Sequence, residues 1–361
     1  MSEVFVEITL NNQEYTDDRN IFYYYHPPFL FSFGPEMGSV IGGTIVHVFG
    51  SNFRDTKDLK CKFGTISVPA KFISTNEILC VSPKTDHAGL VPFQIAVQED
   101  EFTSDETKKF LYYAFPELNS ISPTCGPIYG YTQLTVKGKN FFDNGLDSVK
   151  CVFNKTIFMN ATIIDDTTLY CSTPSIINRY EMTSTTDDLF FDVEVTMNAK
   201  DFSGFPQRFY YYNDPQLKGI YPNSGSVEGN TLTKIKGLGF KPDHSCNLTV
   251  RFSTYQIKPI EVDDDSITVK SHPVSIHGEV IVGISINGQQ FTKDIIINNK
   301  DIENTFTYFN SPIFTYYFPS LGPSNGGSLV KISGYGFRFY EDIEGKAITK
   351  NIWIRMKDVK S

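Results

Sequence analysis

The stretch from residue 116 to residue 141, PELNSISPTCGPIYGYTQLTVKGKNF, decides the fold, because its landmarks recur four times along the 361-residue chain. Here they are Pro116, Pro123, Gly126, Gly130, Thr132, Gly138 and Phe141. Upstream the same spacing gives Pro28, Pro35, Gly38, Gly42, Thr44, Gly50 and Phe53. Downstream it gives Pro215, Pro222, Gly225, Gly229, Thr231, Gly237 and Phe240, and then Pro312, Pro319, Gly322, Gly326, Ser328, Gly334 and Phe337. Seven matched columns make a tandem array with a period of roughly 90–100 residues, too long for a solenoid and suited to a string of small domains. The units so placed are a partial one at 1–27, full ones at 28–115, 116–214 and 215–311, and a second partial one at 312–361.

Each unit reads as β-structure. Between its two prolines lies a short apolar strand, such as Glu117 to Ser122 or Gln216 to Tyr221. Prolines that bracket a strand place it at a sheet edge. The Pro-x-x-Gly-x-x-x-Gly segment supplies a turn. Alternation follows in Thr44, Val46 and Val48, and again in Thr132, Leu134 and Val136, as a half-buried strand requires. Later strands carry Cys61 with Phe63 and Cys151 with Phe153, then Cys80 with Pro83 and Cys171 with Pro174. The unit closes on a hairpin, marked by Asn287-Gly288-Gln289 and ending in Phe306-Thr307-Tyr308. Short strands with frequent turns and no helical periodicity predict an all-β chain of β-sandwiches.

These blocks resemble the IPT/TIG domain, the immunoglobulin-like fold of plexins, Met-type receptors and some transcription factors. The resemblance rests on the Pro-x-x-Gly-x-x-x-Gly-x-Thr block, the Gly-x-x-Phe ending, the Cys-x-Phe and Cys-x-x-Pro strands and the closing Phe-x-Tyr, and it covers the whole chain. It implies tandem immunoglobulin-like sandwiches in a semi-rigid rod. It implies no function, because one fold hosts many, and the family has no shared catalytic residues. In the third unit Val250 and Lys270 stand where the paired cysteines would be, so that unit is expected to rest on its apolar core.

The ends read as half-domains. Val4, Val6, Ile8 and Leu10 align with Val280, Val282, Ile284 and Ile286, and Asn11 to Thr16 aligns with Asn287 to Thr292. Residues 312–361 carry the opening strands of a fourth unit and stop near Ile352-Trp353-Ile354. The expectation is a segment of a longer array. The sharper alternative is strand addition, in which one molecule's last strands complete another's first hairpin and join subunits head to tail.

Cys61 with Cys80 and Cys151 with Cys171 occupy equivalent positions at nearly equal separations, which suggests one bridge made twice; small buried thiols in a cytosolic protein are the other reading. Closed loops of that length are worth about 3 kcal/mol each. Cys125 and Cys246 stand alone, and spacing does not say whether they pair. Acceptor sites for N-linked glycans occur at Asn154, Asn160 and Asn247. Cysteine pairs and sequons together favour an oxidising, extracellular or cell-surface setting. The start of the chain has neither the basic flank nor the apolar core of a signal peptide, a conflict that a fragment of a longer secreted or membrane-anchored chain resolves.

A net charge of −9 argues against general binding to nucleic acid or anionic membranes. No apolar run approaches the roughly eighteen residues that span a bilayer. The 20 Tyr and 31 Phe suit strands. Nothing resembles an active site or implies a cofactor. His272 and His277 read as loop histidines, and Asp263-Asp264-Asp265, like Asp165-Asp166, as a solvated turn rather than a calcium loop. Gly237-Leu238-Gly239 precedes a strand and is no nucleotide loop. The aromatic junctions Tyr23-Tyr24-Tyr25, Tyr112-Tyr113 and Tyr210-Tyr211-Tyr212 are too short to bend freely, their tyrosines buried between domains or offered to a partner.

The function expected is a non-enzymatic structural or adhesive array working through contacts with other proteins, including head-to-tail or lateral self-association. The alternatives are a ligand-binding ectodomain segment of a plexin-like or Met-like signalling receptor, and an intracellular or ciliary scaffold.

Overall fold

Period-2 alternation becomes two-sided burial. In the strand Ile45–Ser51, Val46, Val48 and Gly50 point inward while Ile45, His47 and Phe49 face outward. The same pattern holds in Gln133–Lys139 and Leu232–Leu238. The computed structural model describes residues 2–99, 101–105, 107–143, 145, 148–177, 189–240, 246–292, 296–297, 300–301, 304–337 and 354, and among these no helix is present. Of the expected last strand, Ile352 and Trp353 lie outside the described residues.

The chain opens with a two-stranded pair, β1 (Ser2–Val6) and β2 (Asn20–Tyr24). The first sandwich follows, built of β3 (Phe29–Gly34), β4 (Met37–Ser39), β5 (Ile45–Ser51), β6 (Lys60–Phe63), β7 (Ile66–Ser74), β8 (Glu77–Val81), β9 (Gly89–Ala96) and β10 (Lys109–Tyr113). Their hydrogen-bonded order is β3-β5-β8-β7-β6-β9-β10-β4, with β4 parallel to β10. The long β7 makes two layers of this one ladder. Its first half pairs with β6 (Lys60↔Pro69 to Phe63↔Ile66), and its second half pairs with β8 from Ala70↔Cys80 onward. Strands within residues 117–212 repeat this order. In the third sandwich the switching strand is broken into Tyr255–Ile257 and Glu261–Val262, leaving separate sheets of four and five strands.

The recurring residues are explained by close approach. A Cβ on Gly50 would overlap the Phe29 carbonyl and the Phe53 ring, and Gly138, Gly237 and Gly334 meet the same obstacles in their copies. Gly-x-x-Phe is thus a packing motif in which the ring folds back over the glycine. The proline-bracketed strand lies at the sheet edge, as its prolines dictate, and the second proline of each copy follows a cis peptide bond. Each core is aromatic: in the first sandwich Phe63, Phe93, Phe110 and Tyr112 are buried and meet edge to face at about 5 Å.

Cys61 on β6 and Cys80 on β8 are bonded across the two layers, both fully buried, with Cα atoms 6.2 Å apart. Cys151 and Cys171 are bonded likewise, 6.4 Å apart. The third sandwich corrects the sequence reading. Cys80 lies opposite Val46 in the ladder, and the residue so placed, opposite Thr233, is Val269 rather than Lys270. Two fully buried valines, Val250 and Val269, therefore replace the cystine. Lys270, one residue on, is on the exposed face, as period-2 geometry requires.

By compactness the chain divides into two units. One comprises Met1–Ser120, Val136–Cys171 and Val193–Gln207; the other comprises Ile121–Thr135, Ser172–Asp192 and Arg208–Ser361.

Candidate interaction site at the joints between repeats

The strand Phe190–Thr196 runs into a tight turn organised by Asn198. An asparagine side chain can imitate backbone and cap the residues that follow it. Here Oδ1 accepts the N–H groups of Lys200 (3.0 Å) and Asp201 (2.8 Å) and the Thr196 hydroxyl (3.3 Å). Ala199 adopts a left-handed φ of 57° to let the chain turn. With Oδ1 so committed, Nδ2 is aimed outward, donating to Asp201 Oδ2 at 2.9 Å and to the Met37 carbonyl of the preceding sandwich at 3.0 Å.

The receiving surface is built by the repeat motif itself. Thr44 is fully buried, and its hydroxyl donates to Asp201 Oδ2 at 2.6 Å. Gly38 must be glycine there, because a Cβ would overlap the Thr44 hydroxyl and press on the Phe110 ring. The Gly-x-x-x-Gly-x-Thr block thus holds one hydroxyl and one carbonyl, Thr44 Oγ1 and Met37 O, as a socket. Beside it Tyr113 is buried against Phe142, ring centroids 5.3 Å apart. Burial, and then the Asp201 carboxylate, push its phenol well above the usual range.

The second joint repeats the design within the other unit. Asn287 Oδ1 accepts the N–H groups of Gln289 (3.0 Å) and Gln290 (3.1 Å). Its Nδ2 donates to the Cys125 carbonyl and the Thr132 hydroxyl, each at 3.3 Å, and to Gln290 Oε1 at 2.6 Å. Thr132 donates in turn to Gln290 Oε1 at 3.2 Å. Gln289 spans one residue of the preceding sandwich, accepting from Gln133 N–H at 2.9 Å and donating to Gln133 O at 2.8 Å. Cys125, in the socket, is bonded to Cys246 of the third sandwich, Cα atoms 6.0 Å apart. The two cysteines that sequence left alone pair across this joint.

The turn of the first sandwich differs. Gln98 and Glu101 stand at the corresponding places, and Glu101 accepts the Tyr25 hydroxyl at 2.5 Å beside a cleft of about 460 Å3 lined by Tyr23, Pro28 and Phe29.

The other sequence candidates lie away from these joints. Asn154 sits exposed in a turn with φ 48°, Asn160 is exposed and accepts from the Lys150 ammonium at 2.7 Å, and Asn247 is exposed and accepts from Lys258. His272 stacks on Tyr255 at 4.3 Å, and His277 meets Asn310. Asp263 accepts the Ser266 hydroxyl and Asp165 that of Thr167, each closing its turn. Among the described residues no group of three or more His, Cys, Asp or Glu could hold a metal ion. The junction tyrosines divide by position. Tyr112 and Tyr211 belong to their own cores, donating to the Pro83 and Pro174 carbonyls at 3.0 Å, and burial pushes the Tyr112 phenol up to about 12. Sequence reasoning misses the joints, although Asn11 aligns with Asn287.

The IPT/TIG domain model matches residues 28–112, 116–211 and 215–308. Mouse Plexin-A2 is 25% identical over 296 residues, covering 79% of this chain and 15% of the relative. Mouse Fibrocystin-L is 24% identical over 318 residues, covering 86% of this chain and 7% of the relative. The chain therefore spans a small part of the length of the curated relatives it matches. Among solved structures, the plexin A4 full extracellular region aligns with 82% of this chain and 26% of its own at 20% identity and a TM-score of 0.41.

Proposed function

The chain belongs to the IPT/TIG domain family, and on that footing we propose that it is a non-catalytic array segment that works outside the cytosol through contacts with other proteins. The observation that carries the reading is the pair of Asn joints. Buried polar side chains and a cystine are invested in fixing one sandwich to the next, where an enzyme would converge them on a reacting group. Cystines at Cys61–Cys80, Cys125–Cys246 and Cys151–Cys171 support an oxidising compartment, and the exposure of Asn154, Asn160 and Asn247 leaves all three open to glycan transfer.

The two terminal segments are halves of further repeats in this reading. The pair Ile313–Phe318 and Lys331–Tyr335 has its register slip between Phe314 and Tyr316, at the place where β3 slips against β5 between Leu30 and Ser32. Non-reducing peptide mapping of native protein by mass spectrometry tests the placement. Three cystine-linked peptide pairs with hexose on the sequon peptides are expected. Free thiols and bare asparagines would move an intracellular scaffold to first place.

A further inference from the structure

One outer sheet face of the repeat carries different chemistry in each sandwich. In the third it is the solvent side of three neighbouring strands, Gln216–Tyr221, Leu232–Leu238 and Ser266–Lys270. The first sandwich places Phe31, Ile45, His47, Phe49 and Val81 there, and the second Asn119, Gln133, Thr135, Lys137 and Ser172. The third has Lys218, Leu232, Lys234, Lys236 and Lys270 at the same places. Cations thus collect on one face of a chain whose net charge is −9. All four lysines are exposed, and among the described residues none of them is ion-paired. Glu261 lies two strands from Lys234, across Thr268, and Asp265 precedes Ser266, the register partner of Lys236.

Strand geometry sets Lys234 and Lys236 about 7 Å apart along one strand, with Lys218 and Lys270 on the strands to either side, spaced about 5 Å from it. The fold does not need this concentration of like charge, since two other sandwiches build the same sheet without it. Docking of a neighbouring repeat leaves the face open. In the first and second sandwiches, whose sockets are filled, Val81 and Ser172 at the place of Lys270 stay exposed. Among the lysines Tyr221 is 61% exposed, and it lies across Gly219, where a Cβ would come within 2.9 Å of its ring. The corresponding pairs are Ser32 with Gly34 and Ser120 with Ser122, so among the full copies ring and glycine occur together in the third alone. The ring is held down on the sheet with most of its surface left to solvent, and Lys236 Nζ stands 5.9 Å from its centroid.

All four cations are lysines. A lysine is a mobile point charge without the planar fork by which arginine grips one carboxylate or phosphate, so the face answers to the density of negative charge along a polymer. A duplex nucleic acid or an anionic bilayer is a broad anion that the acidic remainder of this chain repels, whereas a single polysaccharide strand meets the lysine face alone. An apolar ring beside the charges adds a platform for the C–H face of a sugar. We propose that the sheet face bearing Lys218, Lys234, Lys236 and Lys270 binds a sulfated polysaccharide, with sulfates on the ammonium groups and a sugar ring on Tyr221. This goes beyond the protein contacts above. It rests on the extracellular reading only for the choice of polymer, and a binding test on purified protein does not read the compartment, so the two fail separately.

Surface plasmon resonance of the oxidised full chain over immobilised heparin, at rising salt, tests it. Wild type is expected to bind saturably, with an affinity that falls as salt screens the lysines. Lys234→Gln combined with Lys236→Gln should bind about tenfold more weakly. Lys71→Gln combined with Lys84→Gln removes equal charge from exposed sites on the first sandwich and should bind like wild type. Tyr221→Ser keeps every charge and installs the residue of the second sandwich; it should weaken binding about threefold. Fully desulfated heparin should not compete. All the substituted side chains are exposed, so each variant is expected to fold. A wild type that ignores heparin at low salt overturns the proposal, as does an equal loss in the two double variants. Competition by polyglutamate or by phosphatidylserine vesicles as strong as by free heparin also overturns it, and assigns the face to an acidic protein or to a membrane.

Discussion

The two joints share one asparagine turn and one Gly-Thr socket, yet they are reinforced by opposite means. At the first, a carboxylate closes the contact: Asp201 takes the Thr44 hydroxyl at 2.6 Å and the Asn198 amide at 2.9 Å. At the second, neutral amides do so, with Gln290 taking the Thr132 hydroxyl at 3.2 Å, Gln289 and Gln290 running along Gln133 and Tyr131, and a cystine added. Charge-assisted bonds are shorter and stronger one by one. Neutral bonds need numbers, or a covalent link, to hold as firmly. The constant part is therefore geometric, and the variable part is how the residual affinity is supplied.

The largest effect expected from breaking this contrast is at the cystine. Replacing Cys125 and Cys246 together by Ser should destabilise the second unit by about 4–5 kcal/mol, the chain-entropy value for a loop this long. Guanidinium denaturation reads it, and an unchanged midpoint would mean that the amide bonds alone hold that joint. Next in size is the asparagine. Asn198→Ala strands the Met37 carbonyl and two N–H groups, a loss of about 3 kcal/mol. Hydrogen exchange should then rise over residues 37–45 and 198–203. The matching Asn287→Ala should leave 125–133 better protected, because the Cys125–Cys246 bridge still tethers the joint. Equal loss of protection at both would erase the distinction drawn between them.

A third effect is absent at neutral pH. Tyr113 at the first joint and Tyr212 near the second have phenols raised by burial, then by Asp201 in one case and by Tyr129 and Asp214 in the other. A group whose folded pKa lies above its unfolded value of about 10 keeps its proton when the unfolded chain releases it. The stability it supports is full below pH 10 and declines as pH rises beyond. Phenolate absorbance followed beside unfolding should show a fraction of tyrosines titrating only as the chain unfolds. Tyr113→Phe and Tyr212→Phe should each reduce that fraction; a phenolate that forms freely at pH 10 in folded protein would refute the burial argument.

The fold was legible because its signature residues are used up locally. Gly50 is glycine because Phe53 lies over it three residues on, and any reader of spacing meets both in one glance. The joints were not legible because Asn198 and Met37 are 161 residues apart, and an Asn in a hairpin turn is ordinary. A trace existed: Asn11, Asn198 and Asn287 fall at one position of the repeat, each followed three residues later by an acid or amide that a turn alone does not require. Cys125 has no counterpart in the other copies, so repetition could not flag its partner. The misplacing of Lys270 has a local cause. The bond from Ser271 N–H to Thr231 O repeats that from Ser82 to Thr44, which puts His272, not Pro273, in the place of Pro83 and so Val269 in that of Cys80.

The smallest expected effect is also the sharpest probe of the contrast. Asp201→Asn is isosteric and converts the first joint to the neutral chemistry of the second. The Thr44 hydroxyl can donate to an amide oxygen as Thr132 does to Gln290, so no group is stranded, and only the charge-assisted increment is lost. That increment is about 1 kcal/mol. The same change removes the anion beside Tyr113, so the alkaline loss of stability should shrink in the variant even as stability at neutral pH falls slightly. The two shifts have opposite signs and a common cause. A variant that loses several kcal/mol at neutral pH would show that the carboxylate, rather than the asparagine turn, is what positions the first joint, and the two joints would then be different devices.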